Sequence, residues 1–145
     1  MSVDRETMVK VLKATCLPVL RKQGFKGSFP AFFRETDGFV ALLNFQFFSS
    51  GGSFCVNLGY ADPKRANVYF DLETEPSKLK VSQTREQVRL GATGGGDHWF
   101  SFGPTSYNEV RGTPLPADEI AARVNEMLLT DAEAWWIDKR AESRS

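Results

Sequence analysis

Asn44, Gln46 and Asn57 interrupt a strand-forming stretch where a sheet ordinarily carries hydrocarbon. Residues 39–60 read FVALLNFQFFSSGGSFCVNLGY, two apolar runs flanking Ser49-Ser50-Gly51-Gly52-Ser53, with amides among the aromatics of both. Strand amides can line a pocket and hydrogen-bond a polar ligand or a peptide. They can equally satisfy a bulge, a loop backbone or one another, because a buried amide must find partners. The structural role takes precedence, since isolated buried polar residues are mostly core devices.

Cations form a second group. If the strands bearing Arg34 and Arg89 are neighbours, two guanidinium groups could clamp a carboxylate or phosphate bidentately, with Arg85 close by. The simpler account is a solvated strand face, or ion pairs with Glu35 and Glu86. Gly94-Gly95-Gly96 invites a phosphate-loop reading, but nucleotide motifs place their glycines between a strand and a helix. Here a strand, HWFSF, follows and no Gly-Lys-Ser/Thr is present, so a hairpin loop is preferred. His98, the only imidazole, would need an orienting acid and a nucleophile to act as a base. No nucleophile-elbow spacing surrounds any serine, so no catalytic residue is assigned.

A single histidine makes a multi-histidine metal site within one chain impossible, and no metal or cofactor is expected. Lys+Arg 18 balance Asp+Glu 18, so no overall field draws the protein to nucleic acid or an anionic bilayer. No apolar run approaches the ~18 residues of a membrane span. The opening MSVDRETMVKVLK lacks the apolar stretch of a signal peptide. Cys16 and Cys55 read as small buried hydrophobes rather than a disulfide framework, although spacing leaves a bridge between them open. A cytoplasmic location is the expectation. Trp99, Trp135 and Trp136 are candidate interaction anchors, Trp being enriched in hot spots. Trp135 and Trp136 diverge by about 100° on a helix, so one should pack inward and the other stay partly exposed.

The positioning elements follow from periodicity. Residues 4–23 read as an amphipathic helix on Met8, Val11, Leu12, Cys16, Val19 and Leu20, with Asp4 as N-cap. Pro18 should kink or divide it, and Gly24 should end it, with Phe25 folding back. Strands are expected at 31–35 and 39–48, joined by a three-residue Thr36-Asp37-Gly38 loop that puts Arg34 on the face of Val40, Leu42, Asn44 and Gln46. A two-residue Asp-Gly turn would move Arg34 to the opposite face. Pairing Phe48 with Phe54 puts Gln46 opposite Val56 and Asn44 opposite Leu58, with Asn57 and Cys55 on the other face. Further strands are expected at 67–72, 87–90 and 98–102, and the polar segment 73–84 should run over the surface. A helix should start near Leu115-Pro116. A capping box, Thr130-x-x-Glu133, should restart a second short helix over 132–139, leaving 141–145 frayed.

At 145 residues the chain has the size of one domain with a sizeable core. The expected fold is α+β: one domain over 1–145, an antiparallel sheet of about five strands flanked by an N-terminal helix and C-terminal helices.

Several pieces carry a family resemblance. Gly24-Phe25, Phe33-Arg34, Asn44-Phe45-Gln46 with Ser49, Phe54-x-Val56-Asn57-Leu58-Gly59, Arg89-Leu90-Gly91 and Trp99 resemble a bacterial family known only as domain of unknown function 4304. The likeness spans most of the chain; Phe100 departs from it, standing where the family is expected to favour a second Trp. The resemblance implies a small bacterial domain and supplies no activity and no catalytic residue. Two functional expectations result. The leading one is a non-enzymatic module recognising a protein or peptide partner through the sheet, with homodimerisation through residual apolar area on its second face. The alternative is a small-ligand pocket, catalytic or not, lined by Arg34, Asn44, Gln46, Arg89 and His98. A flat apolar second face favours the first, and a concave, polar-lined pocket the second.

Overall fold

The computed structural model describes residues 5–47, 52–62, 78–84, 86–90, 100–102 and 116–144. The expected strand at 67–72, the Gly94–Gly96 loop, and Asp4, Arg85, His98 and Trp99 lie outside them.

Helix α1 (Arg5–Lys22) buries Met8, Leu12, Cys16 and Leu20, one residue every four, on a single stripe. It runs undivided through Pro18, and Thr15 O, in the turn before that proline, accepts a 2.9 Å bond from Asn125 Nδ2. A Schellman motif ends it: Phe25 N–H donates to Leu20 O and Gly24 N–H to Arg21 O, with Gly24 at φ +93°. Phe25 folds back into the core, as expected.

Among the described residues, six strands form one antiparallel sheet: β1 (Lys26–Ser28), β2 (Ala31–Thr36), β3 (Phe39–Phe47), β4 (Ser53–Ala61), β5 (Gln87–Arg89) and β6 (Phe100–Ser101). Their order is β1-β2-β3-β4-β5, with β6 also pairing β4. A 3-10 turn (Val81–Gln83) precedes β5. Helix α2 (Ala117–Met127) packs against α1 and passes through a π turn (Leu128–Ala132) into α3 (Glu133–Arg144). The α+β architecture and its flanking helices are as the periodicity predicts; the short edge strand β1 was not anticipated.

Two register expectations are corrected. Thr36 pairs with Phe39, so the β2–β3 hairpin closes on two residues, Asp37 and Gly38, at φ 51° and 86°. Such a turn matches the twist of the flanking strands. Arg34 therefore pairs with Ala41 and joins the helix-covered face. Across β3–β4, Phe47 rather than Phe48 pairs with Phe54, which sets Gln46 opposite Cys55 and Asn44 opposite Asn57. One residue of slip moves every side chain to the other face. The observed register gathers all three strand amides on one side. It leaves Leu43, Phe45, Phe54, Val56 and Leu58 on the other, buried against the helices in an aromatic-rich core.

The C-terminal prediction also changes. The capping box does not form: Thr130 Oγ1 donates back to Glu126 O at 2.8 Å, and the backbone stays right-handed helical from Leu128 to Glu133. Glu133 is engaged elsewhere, and α3 continues to Arg144 rather than fraying after 140.

On the second face, residues 78–84 cover one half of the sheet. Val40, Leu42, Ala61 and Val81 form a small buried cluster with Phe33 and Leu79 against it. The large hydrophobic residues exposed among the described residues, Leu129 and Ile137, are both on the C-terminal helical stretch. The apolar sheet area that motivated a dimer is thus covered by the chain itself in this half. No helix among the described residues is long and apolar enough to cross a membrane.

Candidate functional site

The amides occupy the half of the second face outside the 78–84 cover. Asn57 Nδ2 donates to Asn44 Oδ1 at 2.8 Å and to Gln46 Oε1 at 2.9 Å, tying β4 to β3 through side chains. Cys55 Sγ, beneath them, lies 3.7 Å from Gln46 Oε1 and 3.6 Å from Asn57 Oδ1. The amides satisfy one another, the structural role given precedence from the sequence. Asn44 and Asn57 are half-buried and Gln46 is exposed. Arg89 pairs with Asn57 in register and shares this face. Since Arg34 is on the opposite face, the Arg34–Arg89 clamp and the pocket combining Arg34 with the amides are both ruled out. Beside Asn44, under Leu79–Ser82, a hollow of about 140 Å³ remains, smaller than the roughly 300–1,000 Å³ of ligand pockets.

A larger cavity, about 300 Å³, opens on the helix side where the end of α1, strands β2 and β3 and helix α3 converge. Its polar lining is Gln23, Arg34, Thr36, Glu133 and Arg140; Phe39, Ala41, Trp136 and Ile137 supply the apolar walls. Arg34 organises it. Its Nη1 and Nη2 donate to the two oxygens of Glu133 at 2.7 and 3.0 Å, and Nη1 also reaches Gln23 O at 3.0 Å. The guanidinium lies 4.6 Å from the centre of the Phe25 ring and 5.4 Å from that of Trp136. Bidentate pairing and aromatic stacking together fix a planar cation in a way a lysine could not.

The π turn positions the other wall. It leaves Leu128 O accepting from Gln23 Nε2 at 3.1 Å, and it brings Glu133 over Arg34 and Trp136 into the core. π turns inside α-helices frequently occur at functional sites. Gln23 Nε2 also donates to Glu133 Oε1 at 3.2 Å. Because both of its partners can only accept, the amide orientation is determined, and Gln23 Oε1 is left buried with no donor among the described residues. Arg140 Nη2 donates to Asp37 Oδ2 at 2.9 Å at the turn end of the hairpin.

Of the sequence candidates, Arg34 lines the cavity and Trp136 forms part of its wall. Trp136 is also a core anchor, its Nε1–H donating to Gly59 O at 2.9 Å. Trp135 is half-buried against Tyr60, with Lys139 over its ring. One Trp in and one partly out is the arrangement expected. Lys139 also bonds Glu86 at 2.7 Å, which raises its pKa above the ordinary lysine value. Gln23, Glu133 and Arg140 were missed. The only sequence signal among them is Glu133, whose spacing from Thr130 predicts a cap instead. Neither cysteine is in a disulfide: Cys16 lies in α1 on one side of the sheet and Cys55 on the other. Burial pushes the Cys16 thiol up to about 12. Among the described residues, no three acids, cysteines or histidines cluster as a metal site would require.

Comparison with protein families matches residues 16–138 to the family described as Domain of unknown function (DUF4304). The match covers most of the chain. The chain belongs to this family. Eight of the nine cavity-lining residues fall within the DUF4304 match, as do the three amides; Arg140 lies just beyond it. Comparisons with curated proteins and with solved structures found no match.

Proposed function

We propose that this domain is a non-enzymatic binding module whose site is the Arg34–Glu133–Arg140 cavity and whose ligand is a small polar molecule. The observation that carries the reading is a concave cavity of about 300 Å³ lined by Gln23, Arg34, Thr36, Glu133 and Arg140, whose Arg34–Glu133 pair is already held in place. The cavity is concave and polar-lined, the property that separates a ligand pocket from a flat docking face. It lies at the small end of the ligand-pocket range, so the ligand is a compact metabolite rather than a folded partner.

A fragment screen followed by ¹H–¹⁵N spectra tests this. Hits are expected to shift Gln23, Arg34, Ile137 and Arg140 resonances and to lose affinity in Arg140→Gln. Hits confined to the Asn44–Gln46–Asn57 face, or a complete absence of hits, would reject it.

One observation favours a second reading, recognition of a peptide or a second copy of the chain through the sheet. The amide nitrogens of Asn44 and Gln46 donate to nothing among the described residues and sit on the half of the face that 78–84 leaves open. A peptide running over this row would find donors for its carbonyls. Light scattering across micromolar concentrations, for wild type and for a Gln46→Ala variant, tests the self-association form: a monomer throughout removes it.

A further inference from the structure

We propose that Arg21 guards the β1 edge of the sheet: its guanidinium occupies the outward carbonyls there and keeps a second copy of the chain from adding a strand. The direction of those carbonyls follows from the ladder. Phe45 N–H donates to Pro30 O, so even-numbered residues of β2 turn their backbone groups toward β3 and odd-numbered ones toward β1. Lys26 and Ser28 pair with Phe33 and Ala31. Gly27 between them therefore points its carbonyl away from β2, as does Phe25 two residues earlier. β1 ends the sheet among the described residues, and all three of its residues are exposed. Such an edge is a template for another strand unless something covers it.

One side chain meets both acceptors. Arg21 Nη1 donates to Phe25 O at 3.1 Å, and Nη2 donates to Gly27 O at 2.6 Å. The same guanidinium lies 5.6 Å from the centre of the Phe32 ring, a contact that holds it against the sheet. Two carbonyls two residues apart suit a fork of N–H groups, which a lysine ammonium lacks. The strand cannot cover this point with a side chain of its own. Gly27 has φ +109°, and a Cβ there would lie 2.7 Å from Ala31 O. Position 27 is thus bare backbone, and its cover comes from α1. The partner shut out is a second copy, because antiparallel pairing of β1 with itself is two-fold and closes at a dimer.

Light scattering of the full chain across micromolar concentrations, with Arg21→Met and Lys22→Met beside wild type, tests the guard. Arg21→Met keeps a long side chain and a good helix former but deletes the donors. It is expected to associate at a concentration at least about tenfold lower than wild type does. Lys22→Met removes the same charge one position along α1 and is expected to match wild type. A nitroxide on Ser28→Cys in the Arg21→Met background locates the new contact, since Cys16 and Cys55 are buried and leave residue 28 as the thiol that is labelled. Strands paired about 4.8 Å apart bring the two labels close enough to broaden each other's spectra. Three results would each overturn the proposal: Arg21→Met associating no more readily than wild type, Lys22→Met associating as readily as Arg21→Met, or association without broadening. Arg21→Gln provides a second variant, expected to associate as Arg21→Met does. If circular dichroism shows both Arg21 variants unfolded, the residue holds the end of α1 together and the guard falls.

Discussion

A Cβ at position 59 would lie 2.7 Å from Thr84 Oγ1 and 3.2 Å from Val81 Cγ1, while the Gly59 carbonyl accepts from Trp136 on the other side of the sheet. The glycine is what lets the 78–84 cover descend onto β4. Gly59→Ala is expected to destabilise by about 1–3 kcal/mol through overpacking, read as a lower denaturant midpoint at unchanged slope. Trp136→Phe deletes the donor and the pyrrole half of a buried indole, so it should cost about 2–4 kcal/mol. An unchanged midpoint would mean that neither the bond to Gly59 O nor the packing of the indole contributes. Asn57→Ala removes two side-chain bonds at a half-buried position and is expected to cost about 0.5–1.5 kcal/mol. That Asn44, Gln46 and Asn57 belong together was legible only as a set of misplaced amides. Which faces which depends on a single residue of hairpin register, and the composition of the Ser/Gly loop leaves that register open.

At the level of elements, α3 is fastened to the sheet at its first residue and again near its middle. Arg34–Glu133 joins it to β2, and Lys139 joins it to Glu86 near the start of β5. The Arg34 and Glu133 side chains are only 20% and 26% exposed, so the pair lies between the surface and buried regimes. Glu133→Gln is expected to cost about 2 kcal/mol, and a double-mutant cycle with Arg34→Gln should show most of that as coupling. Near-additive losses would mean that Arg34 is held by Gln23 O and the rings alone. The helices, the long hairpin and the end of α1 were readable from periodicity and from Gly24. The continuous path from α2 into α3 was not. Thr130 and Glu133 have the spacing of a capping box, but Arg34, 99 residues earlier, competes for the same carboxylate, and the Thr130 hydroxyl turns back to Glu126 O. A long-range ion pair overrode a local signal, which is why the cavity built on that pair was invisible in the sequence.

For the whole molecule, two groups make stability sensitive to alkali. Cys16 is fully buried, with its thiol near 12 against an ordinary 9.0, and Lys139 is raised above 10.5 chiefly by its hydrogen bond to Glu86. Both contribute stability that is complete below the unfolded-state value and lost as pH rises through the folded one. Unfolding measured against pH is therefore expected to become more favourable above 9.0, by about tenfold per pH unit from Cys16 alone. Cys16→Ala should remove that part of the slope, at the expense of a small cavity. A wild-type curve that stays flat from 9.0 upward would contradict the burial of this thiol. Because Cys16 and Cys55 are both buried, neither should react with a thiol reagent at neutral pH until the chain unfolds.

The central claim is that the space between Gln23, Arg34, Glu133 and Arg140 receives a small ligand, and a crystal structure of the protein soaked with hits from the fragment screen tests it most directly. The account predicts density in the cavity bounded by Gln23, Arg34, Glu133 and Arg140. An occupied amide row on the opposite face, or a cavity that stays empty, would contradict it.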